Sequence, residues 1–178
     1  ERKEEYVRQL FDDIAEEYDS MNRLVSAGMW GRWHRKFAAR TGFRPGNRIL
    51  DVACGTGDLT MLAASQVAPG GEVIGVDISQ GMLEVARRRV SDSPLRDIIK
   101  LQTGNAMALE FPDDSFDGVT MGWAMRNVSS IPKTLSEIYR VLKPGGRFIL
   151  LEAARPKSWL VRAGFFLYWR TILPALDW

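Results

Sequence analysis

Ten residues, Ile49-Leu50-Asp51-Val52-Ala53-Cys54-Gly55-Thr56-Gly57-Asp58, restrict the fold more than any other part of the chain. They read as an apolar strand that ends in an acid and runs into a Gly-x-Gly turn, with a helix over 59–67. Glycine lets the backbone approach a ligand closely, so a nucleotide-like molecule can sit on such a turn. A tight strand-to-helix turn with no ligand is the plainer alternative.

Two cofactors compete for the turn. A dinucleotide fold wants a third small residue three positions after the second glycine. That position holds Thr60, whose branched Cβ crowds helix–strand packing. No Lys-Ser or Lys-Thr pair follows the glycines, which removes a P-loop. The next strand, 72–77, ends in Asp77, placed to accept both hydroxyls of a ribose. Asp51 then favours S-adenosylmethionine, which presents an ammonium and a sulfonium rather than a pyrophosphate.

The remaining pattern alternates in the same way. Ser79 predicts an N-cap for a helix through Val90, and 98–103 reads as a third strand ending at Gly104-Asn105-Ala106. The Asn105 amide can meet an adenine edge with donor and acceptor, or it is a simple turn residue. A fourth strand over 116–121, a helix over 130–142 stopped by Pro144-Gly145-Gly146, and a fifth strand over 147–152 follow. Strands alternating with helices predict an α/β fold with a doubly wound, mostly parallel sheet and a ligand beyond the strand ends.

Four stretches carry a resemblance that spans nearly the whole chain. They are Tyr18-Asp19-Ser20-Met21-Asn22 with Ser26, Gly28 and Trp33; the turn at 50–58; Gly104-Asn105-Ala106-Met107 with Phe111-Pro112-Asp113; and Arg126-Asn127-Val128 leading to 140–146 and Leu151-Glu152. The chain resembles the demethylmenaquinone/ubiquinone-biosynthesis C-methyltransferases, class I enzymes with a Rossmann-like fold that use S-adenosylmethionine. The middle two stretches are shared by many such enzymes; the first and the Arg-Asn-Val are more specific. The Gly-Asn-Ala-Met wording is nearer the menaquinone branch.

The resemblance implies a site. Gly55, Thr56 and Gly57 would hold the methionine end of the cofactor, Asp77 the ribose, and Asn105 with Ala106 the adenine. Tyr18 and Asn22 would form a lid, within an N-terminal helical segment over 1–44 that precedes the cofactor-binding region over 45–178. Gly122 stands where some relatives place a serine near the cofactor. Arg126 would stabilise the phenolate of a reduced quinone, Asn127 would orient substrate or water, and Asp58 would accept or relay the proton. The plainer alternatives are an Arg126 ion pair with Glu152 or Asp58, a first-turn acid at Asp58 and a core tyrosine at Tyr18. His34, the lone imidazole, lies where the family carries Lys or Arg.

The chain departs from the family at Ala153-Ala154-Arg155-Pro156, where a hydroxyl is usual, and at Ser129-Ser130, where an acid is usual. The family continues with a helix and two more strands beyond the position of Trp178, so the chain is expected to be part of a longer protein. The open sheet edge this leaves invites pairing, and a homodimer, or a binding module without turnover, is the rival it raises.

Composition narrows the partners. The 178 residues carry a net charge of +2, which does not suggest nucleic-acid binding. One His and one Cys make no usual zinc site, and no metal is expected. The lone Cys54 suits a reducing cytoplasm, and as a thiol in a turn it reads as a small filler. Arg32, His34, Arg35, Lys36, Arg40, Arg44 and Arg48 cluster around Trp30 and Trp33. This is either a solvated helix face or a patch for anionic lipid head groups with tryptophans at the interface. The aromatic run over 159–178 reads as core or as one wall of an apolar substrate channel. Arg162 and Arg170 make it a poor membrane span. The expected acceptor is a polyprenylated quinol, demethylmenaquinol first. Another lipid or phenol, including the ubiquinone precursor, is the alternative, and Thr60 disfavours an NAD oxidoreductase.

Overall fold

The computed structural model describes residues 2–26, 29–152, 158–167 and 170. Gly28, the segment at 153–156 and most of the run after residue 167 lie outside them. Three helices come first: α1 (Arg2–Ile14), α2 (Tyr18–Val25) and α3 (Trp30–Thr41). The alternating part follows as β1 (Arg48–Val52), α4 (Asp58–Val67), β2 (Glu72–Asp77), α5 (Gln80–Ser91), β3 (Ile99–Thr103), β4 (Phe116–Gly122), α6 (Ile131–Val141) and β5 (Leu142–Leu151). Helix α7 (Trp159–Leu167) closes the described chain.

Among the described residues the sheet has five strands, all parallel, in the order β3-β2-β1-β4-β5. The chain winds outward from β1 to β3, then returns to lay β4 on the other side of β1. That reversal opens a crevice between the carboxyl ends of β1 and β4, where α/β sheets bind ligands.

Both faces of the central strands are covered, which is why β1 is apolar on successive residues. Ile49 and Val73 pack with Ala63, Ala64, Val67 and Val90 from α4 and α5. Leu50, Val52, Ile74 and Val76 pack on the opposite face with Ile138 and Val141 from α6. Thr60 fits this packing because the facing residue on β2 is Gly75. A Cβ there would lie 2.7 Å from Leu101 Cδ2, 3.0 Å from the Cys54 sulfur and 3.1 Å from Thr60 Oγ1. The bulk that excludes a dinucleotide turn is therefore compensated one strand away.

The strands and helices fall where the sequence places them, apart from β5. The breaker Pro144-Gly145-Gly146 ends α6 at Val141, but Leu142 already pairs with Phe116 across a register shift. The strand thus starts five residues before the expected 147. Helix α5 is capped by Ser79, which accepts from the Met82 amide.

Candidate active site

Residues from the carboxyl ends of four strands meet at the crevice. The first turn leaves β1 with Ala53 at φ 55°, Gly55 at φ 54° and Gly57 at φ 87°. Gly57 is the N-cap of α4, and its left-handed backbone explains the glycine. Ala53 and Trp123, which leave β1 and β4, also have positive φ, at 55° and 59°. Each holds a conformation that costs a side-chain-bearing residue about 1 kcal/mol, and such strain gathers at binding sites.

A larger cleft of about 750 Å³, its open mouth included, is lined by Asp77, Asn105, Ala106, Asn127, Gly55 and Gly122, with Val7 and Phe11 of α1 above. A smaller cavity beside it is lined by Asp51, Thr56, Asp58, Trp30 and His34. Tyr18 and Trp123 border both.

Asp77 fastens the turn. Its Oδ2 accepts from the Gly55 amide at 2.7 Å and its Oδ1 from the Ser79 amide at 2.9 Å. Burial pushes its carboxyl above its ordinary value, against the pull of those two amides. Asn105 is a turn residue here: its Oδ1 accepts from the Met107 amide at 2.9 Å, and its amide donates to Glu4 of α1 at 3.0 Å.

Asp51 is only 1% exposed and accepts from Thr60 Oγ1 at 2.6 Å and Thr120 Oγ1 at 2.7 Å. Burial raises its pKa from 3.8 to about 6, despite the two hydroxyls. A carboxyl raised on folding stabilises fully below its unfolded value, and that contribution is lost as pH rises through 6. Asp51→Asn should therefore gain stability relative to the parent between pH 3.5 and 7, the window bounded by the unfolded and folded values, by roughly 2–3 kcal/mol. Paired thermal melts read the difference. His34, whose pKa burial lowers, titrates with the opposite sign but is common to both proteins and cancels. A difference independent of pH would show that Asp51 is ordinary.

Asp58 does not stand as a poised base. Arg89 donates to its Oδ1 at 2.5 Å, and Trp30 Nε1 donates to its Oδ2 at 2.7 Å. Burial alone would raise its carboxyl, but the Arg89 charge and these bonds outweigh it and hold the pKa low. Arg89 also donates to Asp19 of α2 and to the Thr56 carbonyl, both at 2.9 Å, while Thr56 Oγ1 donates to Asp19 at 2.6 Å. The expected proton acceptor is instead part of a tie between lid, turn and α4.

Arg126 is 57% exposed on its side chain and donates to Glu152. It lies near enough to Tyr18 for its charge to act on that phenol, whose pKa burial raises. Asn127 reaches the larger cleft. The Cys54 thiol is pushed well up by burial, which leaves it protonated and unreactive.

The tryptophans of α3 face inward, not toward a lipid interface. Trp30 stacks on Trp123 with centroids 5.5 Å apart, and Trp33 lies 5.4 Å from the same ring. The spacing 30, 33, 34, 37, 41 marks that buried face and could have been read as such. Arg32, Arg35, Lys36 and Arg40 occupy the opposite, exposed face. Arg48 has left the cluster to pair with Glu72. On α7, Trp159, Phe166 and Leu167 are exposed rather than packed in the core.

The sequence did not announce Glu4, Asp12, Arg89 or Trp123. Asp12 of α1 accepts from Ser79 Oγ at 2.6 Å and the Gly81 amide at 2.9 Å, which seats α1 on the start of α5. These contacts join segments far apart in the chain, and no local pattern marks them.

Comparison with known proteins agrees with this geometry. The model of the ubiE/COQ5 methyltransferase family matches residues 1–177. A demethylmenaquinone methyltransferase of Symbiobacterium thermophilum is 71% identical over the whole chain, which covers 71% of that protein. A ubiquinone/menaquinone biosynthesis C-methyltransferase of Geobacter sulfurreducens is 41% identical over 98% of the chain and 68% of its own length. Among solved structures, a Haemonchus contortus phosphoethanolamine N-methyltransferase in complex with S-adenosylhomocysteine superposes with a TM-score of 0.74. It matches 86% of this chain and 33% of its own at 18% identity, a likeness of fold alone. With a family model matching residues 1–177, a relative 71% identical over the whole chain and a crevice at the switch point between β1 and β4, the chain belongs to the ubiE/COQ5 methyltransferase family.

Proposed function

We infer that this chain methylates a ring carbon of demethylmenaquinol at the expense of S-adenosylmethionine. The identity to demethylmenaquinone methyltransferases supports the reaction. The observation in the fold that carries it is Asp77, whose carboxylate closes the Gly55 turn while lining the cleft.

The cofactor supplies an electrophilic methyl on sulfur, so the chain must hold the acceptor in line and keep water out. Carbon becomes nucleophilic when the neighbouring hydroxyl of the reduced quinone loses its proton. Arg126, which lines neither cavity but whose charge reaches Tyr18, would leave Glu152 and stabilise the phenolate; its own pKa is too high for a base. Glu152, which already holds Arg126, would take the proton, since Asp58 is committed to Arg89. Asn127, inside the cleft, would orient the ring.

Calorimetry with S-adenosylmethionine followed by methyl transfer to demethylmenaquinol tests this reading. Arg126→Ala is expected to bind the cofactor within two- to three-fold of the parent and to lose roughly 100-fold in kcat. Equal losses in both would remove Arg126 from the chemistry, and a parent that binds but transfers only to a benzoquinol would change the substrate.

The protein would then work in the cytoplasm at a membrane surface. The buried free Cys54 suits a reducing compartment. The exposed basic face of α3 suits anionic head groups, each near cation contributing about 1 kcal/mol. Among the described residues no helix is long and apolar enough to cross a membrane. Faster transfer from anionic than from neutral vesicles supports the contact; equal rates remove it. A second copy pairing along β5, the edge of the sheet among the described residues, is the proposed protein partner, and a monomer by sedimentation would dismiss it.

A further inference from the structure

The indole N–H of Trp123 is buried and has no hydrogen-bond partner among the described residues. A buried donor is nearly always satisfied, so this one asks for a group that is bound in use. Indole N–H only donates, which specifies an acceptor oxygen. The surroundings hold the ring in place. Trp30 stacks on it, Trp33 lies 5.4 Å from it, and the Trp123 amide donates to the Leu151 carbonyl of β5 at 2.7 Å. Trp30 shows the contrast, since its own N–H is committed to Asp58.

The oxygen belongs on the acceptor side of the larger cleft. That cleft would take the nucleoside along Asp77, Asn105 and Ala106, beyond the ends of β2 and β3. Another part of its wall is the segment that leaves β4. Trp123, Ala124 and Asn127 line it there, and the Asn127 amide donates to the Ala124 carbonyl at 2.8 Å. Asn22 Nδ2 and His34 Nε2 are also buried without hydrogen-bond partners, but neither residue lines this cleft. Arg126 must leave Glu152 before it can act on a ligand. Trp123 is the donor already in place, on the wall where the acceptor ring would lie beside Asn127.

We propose that Trp123 Nε1 donates to the quinol oxygen next to the carbon that is methylated. This deepens the function inferred above and rests on it. The hydrogen bond has two effects. It lowers the cost of forming the phenolate, and it fixes the ring so that the neighbouring carbon faces the methyl. As that carbon bonds the methyl, the methyl–sulfur bond breaks with its electron pair left on sulfur. The proton on the carbon then leaves to solvent, and the oxygen regains the proton that Glu152 took. Trp123 is thus a catalytic residue, and its left-handed backbone, at φ 59°, is the strained turn that sets the ring at the cleft.

Trp123→Phe and Trp123→His separate the N–H from the ring. Phenylalanine keeps an apolar ring against Trp30 and removes the donor. The five-membered ring of histidine superposes on that of indole, so its Nε2 restores the donor with less stacking surface. Methyl transfer to demethylmenaquinol, affinity for S-adenosylhomocysteine and melting temperature are read on the parent and both variants. Trp123→Phe should lose roughly ten- to 100-fold in kcat, as for a hydrogen bond to a charged group, with S-adenosylhomocysteine affinity within about two-fold of the parent. Trp123→His should transfer at least about three-fold faster than Trp123→Phe, although it melts at a lower temperature. A role in packing alone gives the reverse order of activity, Phe above His, and overturns the proposal. A kcat for Trp123→Phe within about two-fold of the parent overturns it as well, and would leave the N–H to a water molecule. So does a loss of S-adenosylhomocysteine affinity as large as the loss in kcat, which would place the indole at the cofactor. A parent that binds S-adenosylhomocysteine but leaves demethylmenaquinol unmethylated overturns the function inferred above, and this proposal with it, before either variant is compared.

Discussion

Asp77→Ala should lose at least about 100-fold in affinity for S-adenosylmethionine while the chain stays folded. The side chain stands at the end of β2, buried, with one amide hydrogen bond on each oxygen. A carboxylate has about four acceptor sites, so two remain for ligand hydroxyls facing the cleft. Hydrogen bonds to a charged group contribute about 1.5–3 kcal/mol each, and two of them make the expected loss two orders of magnitude or more. The substitution also leaves the amides of Gly55 and Ser79 without their acceptor, which loosens the turn. Asp77→Asn separates the two effects. It keeps an acceptor for one amide and the shape of the side chain, and should lose about ten-fold. Calorimetry reads both variants, with far-ultraviolet circular dichroism as the control for folding. A loss under five-fold for Asp77→Ala would remove Asp77 from ribose recognition and leave it a turn fastener.

How much of this was readable depends on how local the cause is. The turn residues were legible because a left-handed Gly57 and an acid at the end of β2 are consequences of neighbouring backbone. The start of β5 was not. Pro144-Gly145-Gly146 breaks a helix by local rules, but the pairing of Leu142 with Phe116 is decided by a strand elsewhere in the chain. Asp58 was misread for the same reason. Its place on the first turn of α4 is local, whereas the guanidinium that sets its pKa lies 31 residues away. The basic cluster on α3 shows the opposite error. Its helical period does tell Trp30 and Trp33 from Arg32 and Arg35, yet charge and tryptophan taken together as composition left a single lipid-facing patch open beside a solvated face.

Arg89→Met should be the most damaging single change outside the cleft, because one guanidinium joins three segments. It binds Asp19 on the lid helix α2, the Thr56 carbonyl in the turn and Asp58 at the head of α4. Methionine keeps most of the apolar stem and removes the charge, leaving two partly buried carboxylates close to each other without a cation. Removing one partner of a buried pair is strongly destabilising, and the half-exposed setting of Arg89 reduces that to about 2–3 kcal/mol. For a chain of this size the melting temperature should fall by roughly 5–10 °C. The lid should also loosen, so bound S-adenosylhomocysteine dissociates faster while the Asp77 contacts persist. Arg89→Lys restores a point charge without the fork that spans Asp19 and Asp58, and should recover part of the stability but little of the slow dissociation. Adding Asp58→Asn to Arg89→Met removes one orphaned charge and should return some of the lost stability, a coupling that a double-mutant cycle measures. If melting temperature and dissociation rate both stay at parental values, the network is a surface arrangement and α2 is held over the cleft by packing alone, through contacts such as Phe11 against Tyr18.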